Sequence, residues 1–450
     1  MKNITTVTTD RVCVVGAGPS GLVMARRLRA AGIPFDVYEK HSDVGGIWDP
    51  ANAGSPVYDS AHFISSRFTS GFYGYPMPDS YPDYPSWRQI LDYIRGFARN
   101  ENLYDYIQFD TPVQGAVRDD QGNWVVTVNG EQRLYRALVI APGMTWHANE
   151  PTFPGRDTFM GEIRHSSTYF HPSEFAGKRV LVVGAGNSGV DIACDAAAHA
   201  DAAFLSVRRG YRFIPKHIFG MPVDVFFNQG GQLPAGVTVP QDLSALIDAL
   251  VGDLTRFGLP APDHSALESH PIVNDQILHH LAHGDITAKP NVAEFDGAAV
   301  RFADGSVEEI DLVLLATGYE FRMPFIDEGY FEWHHGRPDL YLHIFNRQID
   351  NLYVLGAVEF ADAAYKRFEE MAQLVAIDLG LAGAEKQQFT QLKRHDQPDL
   401  RGGKRYLDTP RHANYVDTHS YQQAMAKLRD DFGAPQLTDE DLLHGQQPAV

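Results

Sequence analysis

The stretch Phe159-Met-Gly161-Glu-Ile-Arg-His165-Ser-Ser-Thr-Tyr169 separates two copies of one sequence pattern. Upstream, the apolar run Val12–Val15 leads into Gly16-Ala-Gly18-Pro19-Ser20-Gly21 and then into a helical pattern. Downstream, Arg179–Val183 leads into Gly184-Ala-Gly186-Asn187-Ser188-Gly189 and a second helical pattern. A strand, a glycine turn and a helix start together set backbone N–H groups and a helix dipole against a pyrophosphate. The repeated pattern therefore predicts two bound dinucleotides on one chain.

Within the intervening stretch, Phe159, Gly161, His165 and Tyr169 follow the spacing Phe-x-Gly-x-x-x-His-x-x-x-Tyr. Between two dinucleotide loops, this pattern resembles the fingerprint of the flavin-containing monooxygenases, the class B flavoprotein monooxygenases. The related Baeyer–Villiger enzymes look similar but usually carry Trp at the place of Tyr169. The resemblance covers nearly the whole chain. It implies that the fingerprint couples the position of the nicotinamide to the chemistry of the flavin.

The same resemblance implies an α/β fold with two Rossmann-like dinucleotide-binding domains, a three-layer ββα FAD domain and an inserted, smaller NADPH domain. The expected division is residues 1–165 for the first part of the FAD domain and residues 166–310 for the NADPH domain. Residues 311–450 would form the second part of the FAD domain and a C-terminal helical cap.

Composition limits the partners of this chain. Its 450 residues suffice for two or three domains, and the apolar fraction of 44% is that of an ordinary soluble globular protein. Lys+Arg 38 against Asp+Glu 57 leaves a net charge of −19, which argues against nucleic acid or an anionic membrane as a partner. Cys13 and Cys194 form no Cys-x-x-Cys pair, and no apolar run approaches the roughly 20 residues that span a bilayer. We therefore expect a cytoplasmic protein without membrane spans.

In the first unit, Gly16 permits the tight turn, Gly18 lets the backbone approach phosphate, and Gly21 lets the helix pack on the strand. Glu39 ends the next strand, where a carboxylate accepts hydrogen bonds from ribose hydroxyls and repels a 2′-phosphate. The first dinucleotide is therefore expected to be FAD. Further residues resemble the family's contacts around the cofactors: Pro19, Ser20, Lys40, Gly46 and Trp48 of a Gly-Gly-x-Trp element, Gly143 after a buried strand, Thr317 and Gly318 of Ala-Thr-Gly-Tyr, and Gly356 at a strand expected to open a helix.

In the second unit, the loop residues are Gly184, Gly186, Asn187, Ser188 and Gly189. The strand that follows ends in Ser206, Arg208 and Arg209, so a hydroxyl and two guanidiniums take the place of the acid. This chemistry suits a 2′-phosphate and predicts NADPH as the second cofactor.

The candidate reactive residues are Ile64, Ser65, Ser66, His165 and Tyr169. Family members carry Tyr-x-Ser-x-x-x-Asn-x-Ser-Lys, whose Asn reaches toward the reactive edge of the flavin. Here the Asn position falls on Ile64, which donates no hydrogen bond. Either His62, Ser65 or Ser66 serves instead, or the peroxide stage is handled differently. We expect His165 to be a structural or gating hydrogen bonder rather than a base, since the sequence supplies no orienting carboxylate.

Other segments carry weaker predictions. The aromatic and proline-rich residues 57–87 form either a rigid loop on the core or a wall of the active site. Residues 113–117 and 124–128 predict a hairpin, residues 243–254 a helix, and residues 220–285 an insertion near the active site. His279 and His283 lack a third ligand, so no metal is expected.

The resulting hypothesis is a monooxygenase that uses FAD, NADPH and O2 to oxygenate a nitrogen or sulfur centre of a small molecule, in a homodimer. Two alternatives stay open. One is Baeyer–Villiger-type oxygenation of a ketone or keto acid, and the other is an uncoupled NADPH oxidase or redox-sensing binding protein.

Overall fold

The computed structural model describes residues 10–439 and contains two largely parallel sheets. Parallel strands covered on both faces read as continuous apolar runs, and Val12–Val15 and Leu312–Leu315 are buried throughout. The predicted α/β fold with two Rossmann-like domains is confirmed. In spatial order, the seven-stranded sheet contains Leu340–Tyr341, Phe345–Asn346, Leu352–Val354, Ala137–Ile140, Val12–Val15, Phe35–Tyr38 and Ile107–Gln108, and the five-stranded sheet contains Ile286–Lys289, Ala202–Ser206, Arg179–Val183, Leu312–Leu315 and Glu162–His165.

Helices cover the sheets and smaller sheets flank them. The α-helices are Pro19–Ala30, Trp87–Asn100, Asn187–His199, Val223–Asn228, Leu243–Val251, Gln276–His283, Ala364–Gly380, Gly383–His395 and Thr418–Asp431. Two antiparallel sheets have three strands each: Val113–Arg118, Trp124–Val128 and Glu131–Tyr135 in one, and Val292–Asp296, Ala299–Phe302 and Val307–Glu309 in the other. The short strand pairs are Phe213–Ile214 with Ile272–Val273, His217–Ile218 with Met221–Pro222, His147–Ala148 with Tyr319–Glu320, and Trp333–His334 with Arg337–Pro338.

Strand pairing moves the expected domain boundaries. Glu162–His165 pairs in parallel with Leu312–Leu315, and both belong to the sheet of the second glycine loop. Boundaries at 165/166 and 310/311 would cut both strands from their own sheet. We propose instead that the inserted domain begins before Glu162 and ends after Leu315. The fingerprint then lies at an edge of the inserted domain, where the chain enters it.

Three local predictions need different corrections. The hairpin at 113–128 is confirmed, but Glu131–Tyr135 adds a third strand. The helix expected over residues 243–254 ends at Val251, because Gly252 adopts a left-handed backbone with φ +79°. The strand before Gly356 does not open directly into a helix. The next helix begins at Ala364, and the backbone between them turns at Gly356, φ +77°.

The C-terminal helix Thr418–Asp431 belongs to the core of the FAD domain. Tyr421 is fully buried, and its hydroxyl donates to the carbonyl of Leu342 at 2.7 Å. Beneath it, Ala364–Gly380 packs on Pro19–Ala30, and the buried Glu369 pairs with Arg26 and Arg27. The helix Thr418–Asp431 is therefore part of the scaffold and not a lid over a substrate cavity. Residues 440–450, part of the predicted cap, lie outside the described residues. No helix within residues 10–439 has the length and apolar character to cross a bilayer.

Candidate cofactor and active site

The first glycine loop, residues 16–21, is held tightly against its own sheet. Gly16 has φ +102°, and a Cβ there would lie 2.5 Å from the carbonyl oxygen of Ala141. A Cβ on Gly21 would clash with the carbonyl of Gly16. Around Gly18, by contrast, the nearest atom to a Cβ would be the Cα of Gly46 at 3.6 Å. The loop is thus closed toward the protein and open above the helix N-terminus, as a pyrophosphate cradle requires.

The second glycine loop, residues 184–189, repeats this geometry. Gly184 has φ +108°, and its Cβ would lie 2.5 Å from the carbonyl oxygen of Ala316. A Cβ on Gly189 would clash with the carbonyl of Gly184. Both loops cap their helices with a glycine, Gly18 or Gly186, without a side-chain hydrogen bond to the helix. The free N–H groups of two helices are therefore presented in the same way, and both sites fit a dinucleotide.

Glu39 closes the first cradle. Its side chain is buried, and its carboxylate accepts hydrogen bonds from the backbone N–H groups of Ala17 at 2.6 Å and His41 at 2.9 Å. Burial raises the pKa of Glu39, and the two backbone donors oppose that rise. The carboxylate is thereby fixed beside the loop, where it can accept hydrogen bonds from a ribose.

Several other predicted FAD contacts gather around this loop. A Cβ on Gly46 would lie 3.2 Å from the Cα of Gly18, and one on Gly356 would lie 3.1 Å from the Oγ of Ser20. The ammonium of Lys40 sits 3.9 Å from the ring centre of Trp146. Gly143 also packs on that ring. No motif in the sequence marks Trp146, so its contacts with Lys40 and Gly143 were not predicted.

Strand register revises the predicted end of the second cradle. The amide of Gly16 donates to the carbonyl of Tyr38 at 2.8 Å, and that of Gly184 donates to the carbonyl of Ser206 at 2.9 Å. Ser206 therefore corresponds to Tyr38, and Val207 occupies the position of Glu39. The Ser206 hydroxyl is 2% exposed and donates to the carbonyl of Pro290 at 2.8 Å. Because this bond commits the hydroxyl to the protein, we propose that the Ser206 side chain does not contact the cofactor.

Arg208 and Arg209 follow Val207 at the rim of the same cradle. Arg208 is exposed and Arg209 half-buried. Among residues 10–439, no carboxylate lies within 4.0 Å of either guanidinium. With an apolar residue at the acid position and two unpaired cations beyond it, this cradle can accept a phosphate on the ribose.

The fingerprint forms the edge strand of the second sheet. A Cβ on Gly161 would lie 2.8 Å from the carbonyl of Asp311 and 2.6 Å from the ring of Phe159, so only glycine fits this approach. Phe159 packs on Phe295 with ring centres 4.9 Å apart. These residues hold the strand and leave His165 at its carboxyl end.

His165 is 2% exposed and tied at both ring nitrogens. Nδ1 accepts from the amide of Ser167 at 3.2 Å, so the ring proton lies on Nε2, which donates to the carbonyl of Gly318 at 3.0 Å. Burial lowers the pKa of His165 and keeps the ring neutral. Gly318 lies in the Ala-Thr-Gly-Tyr element beside Thr317, and the Tyr319 ring meets His165 edge-on with ring centres 5.1 Å apart. Among the described residues no carboxylate is hydrogen-bonded to the imidazole, so the ring is arranged to hold two chain segments together.

The side chain of Tyr169 contacts the helix Asn187–His199, which begins at the second cradle. Its hydroxyl donates to Asp195 at 2.8 Å, and Ser60 donates to the same carboxylate oxygen at 2.6 Å. One turn earlier, Tyr58 donates to Asp191 at 2.9 Å. Both acids are on the helix Asn187–His199 and were missed, because nothing local in the sequence predicts their partners. They fasten the loop that carries Ile64 to the inserted domain.

Ile64 is half-buried, and its three polar neighbours differ in availability. Ser66 is fully buried, and its amide and hydroxyl both donate to Asp224, at 2.7 and 2.9 Å. His62 is exposed and faces the carbonyl of Ser60 at 2.7 Å. Ser65 is half-buried and accepts from the Ser70 hydroxyl at 2.7 Å, which leaves its own proton to donate. Ser65 is therefore the best placed substitute for the missing amide.

Asp224 also links the 220–285 segment to the loop that carries Ile64. It is the second residue of the helix Val223–Asn228 and accepts hydrogen bonds from Ser66 in the 64–70 loop, so this segment contacts the candidate site. The aromatic run divides similarly. Phe72 stacks on Tyr365 with ring centres 4.7 Å apart and is core, whereas Phe63 packs on Trp48 at 5.2 Å. Trp48 belongs to the predicted flavin element.

The helix Gln276–His283 carries the histidine pair that was considered as metal ligands. His279 and His283 have ring centres 4.0 Å apart, and within residues 10–439 no third ligand joins them. The described residues do bring Glu332, His334 and Asp339 together near the surface, an arrangement common without an ion.

Comparisons with known proteins agree with this geometry. The family model "flavin-binding monooxygenase-like" matches residues 9–379. Flavin-containing monooxygenase 5 of Oryctolagus cuniculus is 31% identical over 461 aligned residues, which cover 96% of this chain and 85% of that protein. The structure of S-allyl-L-cysteine S-oxygenase from Allium sativum superposes with a TM-score of 0.66 at 19% identity, covering 97% of this chain and 92% of that one. A steroid monooxygenase bound to NADP gives a TM-score of 0.66 at 20% identity, covering 94% and 98%.

Proposed function

Since this chain belongs to the flavin-binding monooxygenase-like family, whose members use FAD and NADPH, we propose that it oxygenates a nitrogen or sulfur centre of a small molecule with O2. The observation that carries the proposal is the pair of matched cradles with different ends. Glu39 ends one, and Val207 ends the other, followed by two arginines that form no salt bridge within residues 10–439. That difference supports FAD in the first cradle and NADPH in the second.

The chain's own residues would prepare the two cofactors to react. FAD held by the first glycine loop and Glu39 would supply the redox chemistry that links NADPH to O2. The glycine loops hold the two pyrophosphates, and Glu39 and Arg209 orient the two riboses. His165 keeps its proton on Nε2 and ties the fingerprint to Gly318, so the segments by which the chain enters and leaves the inserted domain are held together. Trp48, Phe63 and Tyr365 exclude water from the side of the flavin element.

Two features favour a soft nucleophile as substrate. Tyr169 stands where Baeyer–Villiger enzymes usually carry Trp, and its hydroxyl is fixed to Asp195. One structural neighbour is named as an S-oxygenase. Ile64 supports the second candidate, Baeyer–Villiger-type oxygenation or uncoupled oxidation, because it removes the donor found in the family. Ser65 is our proposed replacement for that donor.

The test is a panel of amines, sulfides, indoles and ketones, incubated with holoenzyme, NADPH and air. Product, NADPH and H2O2 are quantified together. N-oxide or sulfoxide formed in proportion to NADPH supports the proposal, and ester formation supports the second candidate. H2O2 equal to NADPH with every compound would reject oxygenation. Ser65→Ala should raise the H2O2 share and Ile64→Asn should lower it, with the exposed His62→Ala as a matched control.

A homodimer and a cytoplasmic location stay predictions. Burial raises the pKa of both Cys13 and Cys194, and both are free thiols, which suits a reducing compartment. Light scattering on the purified holoenzyme would give the oligomeric state.

A further inference from the structure

Residues 404–415, here called the strap, run from the inserted domain to the FAD domain. On the inserted domain, the amide of Leu407 donates to the carbonyl of Glu268 at 3.0 Å, and His412 accepts from the amide of His270 at 3.1 Å. On the FAD domain, Asn414 donates to the carbonyl of Ala357 at 2.7 Å. The strap therefore crosses the cleft between the two cofactor domains close to the second cradle.

Arg411 is the strap residue that reaches this cradle. One of its terminal nitrogens lies 3.8 Å from the position that a Cβ on Gly186 would occupy. In this type of loop the second glycine is where the backbone approaches the pyrophosphate. A guanidinium at that point would face the negative charge of the pyrophosphate. Its planar fork suits phosphate oxygens better than an ammonium would.

The present partner of Arg411 is weak enough to be exchanged. Its Nε lies 3.3 Å from an oxygen of Glu359, and the Arg411 side chain is 44% exposed. Glu359 also faces Nδ1 of His270 at 3.6 Å, and the Tyr415 hydroxyl lies 3.3 Å from the same nitrogen. An ion pair with one exposed partner contributes little to stability. A pyrophosphate, with more charge and more acceptors, would compete well for the guanidinium.

At the second cradle, the positive charge of the strap comes from Arg411 and not from its histidines. Burial lowers the pKa of His270 and of His412, so both rings are neutral near pH 7. Arg337 is buried on the FAD side, and Arg209 lies on the inserted domain near His412. Arg337 therefore lies beside the strap, and Glu359 is the carboxylate that Arg411 contacts.

We propose that Arg411 binds and positions the pyrophosphate of the nicotinamide dinucleotide from across the domain boundary, and that Glu359 holds its guanidinium when the dinucleotide is absent. This proposal rests on the proposed function. It predicts a division of labour in which Arg208 and Arg209 recognise the 2′-phosphate and Arg411 recognises the part common to NADP⁺ and NAD⁺. The strap would therefore set affinity without setting the choice between the two.

The experiment titrates oxidised, FAD-loaded enzyme with NADP⁺ and with NAD⁺ by calorimetry. Arg411→Ala should weaken both ligands by a similar factor of about tenfold or more, the range expected for a charge-assisted hydrogen bond. Arg209→Ala should weaken NADP⁺ alone. Arg405→Ala is the matched control, since Arg405 is an exposed arginine of the same strap without a side-chain partner among the described residues. Glu359→Gln should tighten both ligands.

The possible results distinguish failure of this proposal from failure of the proposed function. Unchanged affinities in Arg411→Ala, with or without a lower melting temperature, would show that the strap is only a structural tie. A loss confined to NADP⁺ would place Arg411 at the 2′-phosphate and also overturn the proposal. Failure of the wild-type holoenzyme to bind either dinucleotide would instead refute the proposed function. Retained FAD absorbance in every variant excludes a general loss of fold.

Discussion

The Nε2 atom of His165 lies 3.0 Å from the carbonyl oxygen of Gly318. This bond joins the end of the fingerprint to the element by which the chain leaves the inserted domain. Because Nδ1 accepts from the amide of Ser167, the donor can only be Nε2–H. The histidine most prominent in the sequence is therefore held as a neutral tie, and we expect that it does not act as a base.

Replacing His165 tests that distinction. His165→Ala should lower the melting temperature and slow reduction of FAD by NADPH, because the two domains lose a shared constraint. His165→Gln keeps a donor for Gly318 and should recover part of both losses. Stopped-flow reduction followed at the flavin band across pH 6–9 gives the measurement. Disappearance of a pKa from the rate profile in either variant would mean that His165 does transfer protons.

The two cradles allow a matched pair of glycine variants. Gly18 and Gly186 have φ of −73° and −71°, which alanine adopts, and a methyl group at either would meet protein atoms no nearer than 3.6 Å. The fold should persist while the approach of a pyrophosphate is blocked. We expect Gly18→Ala to purify with little FAD, and Gly186→Ala to stay yellow but bind NADP⁺ about tenfold or more weakly. The opposite pattern would reverse the assignment of the two domains.

The arginines after Val207 should set the choice of nicotinamide cofactor. Arg208→Ala combined with Arg209→Ala removes both unpaired cations from the rim, and the 2′-phosphate loses its partners. The KM for NADPH should rise about tenfold or more, with little change in the KM for NADH. Steady-state rates with both cofactors decide the matter. Equal effects on the two would remove the NADPH assignment from this pair.

Acid should loosen the strap through His412. Its Nε2 accepts from the amide of His270, and burial, followed by the charges of Arg411, Arg209 and His264, lowers its pKa from 6.5 to about 4. The unfolded chain then binds more protons than the folded one between these values. The contribution of His412 to the free energy of unfolding is fully present above pH 6.5. It falls by about 1.4 kcal/mol for each pH unit below 6.5, until about pH 4.

His412→Gln isolates that contribution, since an amide oxygen can accept from His270 without titrating. The loss of stability between pH 7.5 and pH 5.5 should be smaller in the variant than in the wild type, by denaturant unfolding of the holoenzyme. Identical losses would show that other groups govern the response. Asp362, whose pKa burial raises to about 6, acts in the opposite direction in both proteins and cancels in the comparison.

Sequence patterns predicted the parts of the site that local geometry determines. Gly16 and Gly184 are needed because their backbones turn against a neighbouring carbonyl, and Glu39 follows at a spacing set by one helix and one strand. The position of Ser206 could not be read from the sequence, because the end of its strand is determined by pairing with Gly184, which no local pattern records. The domain boundaries that we propose depend in the same way on pairing, since sheet membership of Glu162–His165 depends on a strand far along the chain.

Side chains that meet across the fold were out of reach. Asp195 and Asp224 look like ordinary helix acids until the 58–70 loop is folded onto them. Arg411 appeared only as part of a polar, aromatic C-terminal segment, because its proximity to Gly186 arises from how the strap crosses two domains. The unusual residue at position 64 was visible at once, but the availability of Ser65 required the hydrogen bonds of Ser66 and Ser70.

The register that sets Val207 where Glu39 stands in the other half has a consequence for assembly of the holoenzyme. FAD and NADPH share an ADP half, and the two glycine loops offer it nearly identical backbones. We therefore expect that the residue at the end of each strand, Glu39 or Val207, distinguishes the two cofactors. The carboxylate of Glu39 would repel the 2′-phosphate of NADPH, so NADPH should not bind in the FAD site.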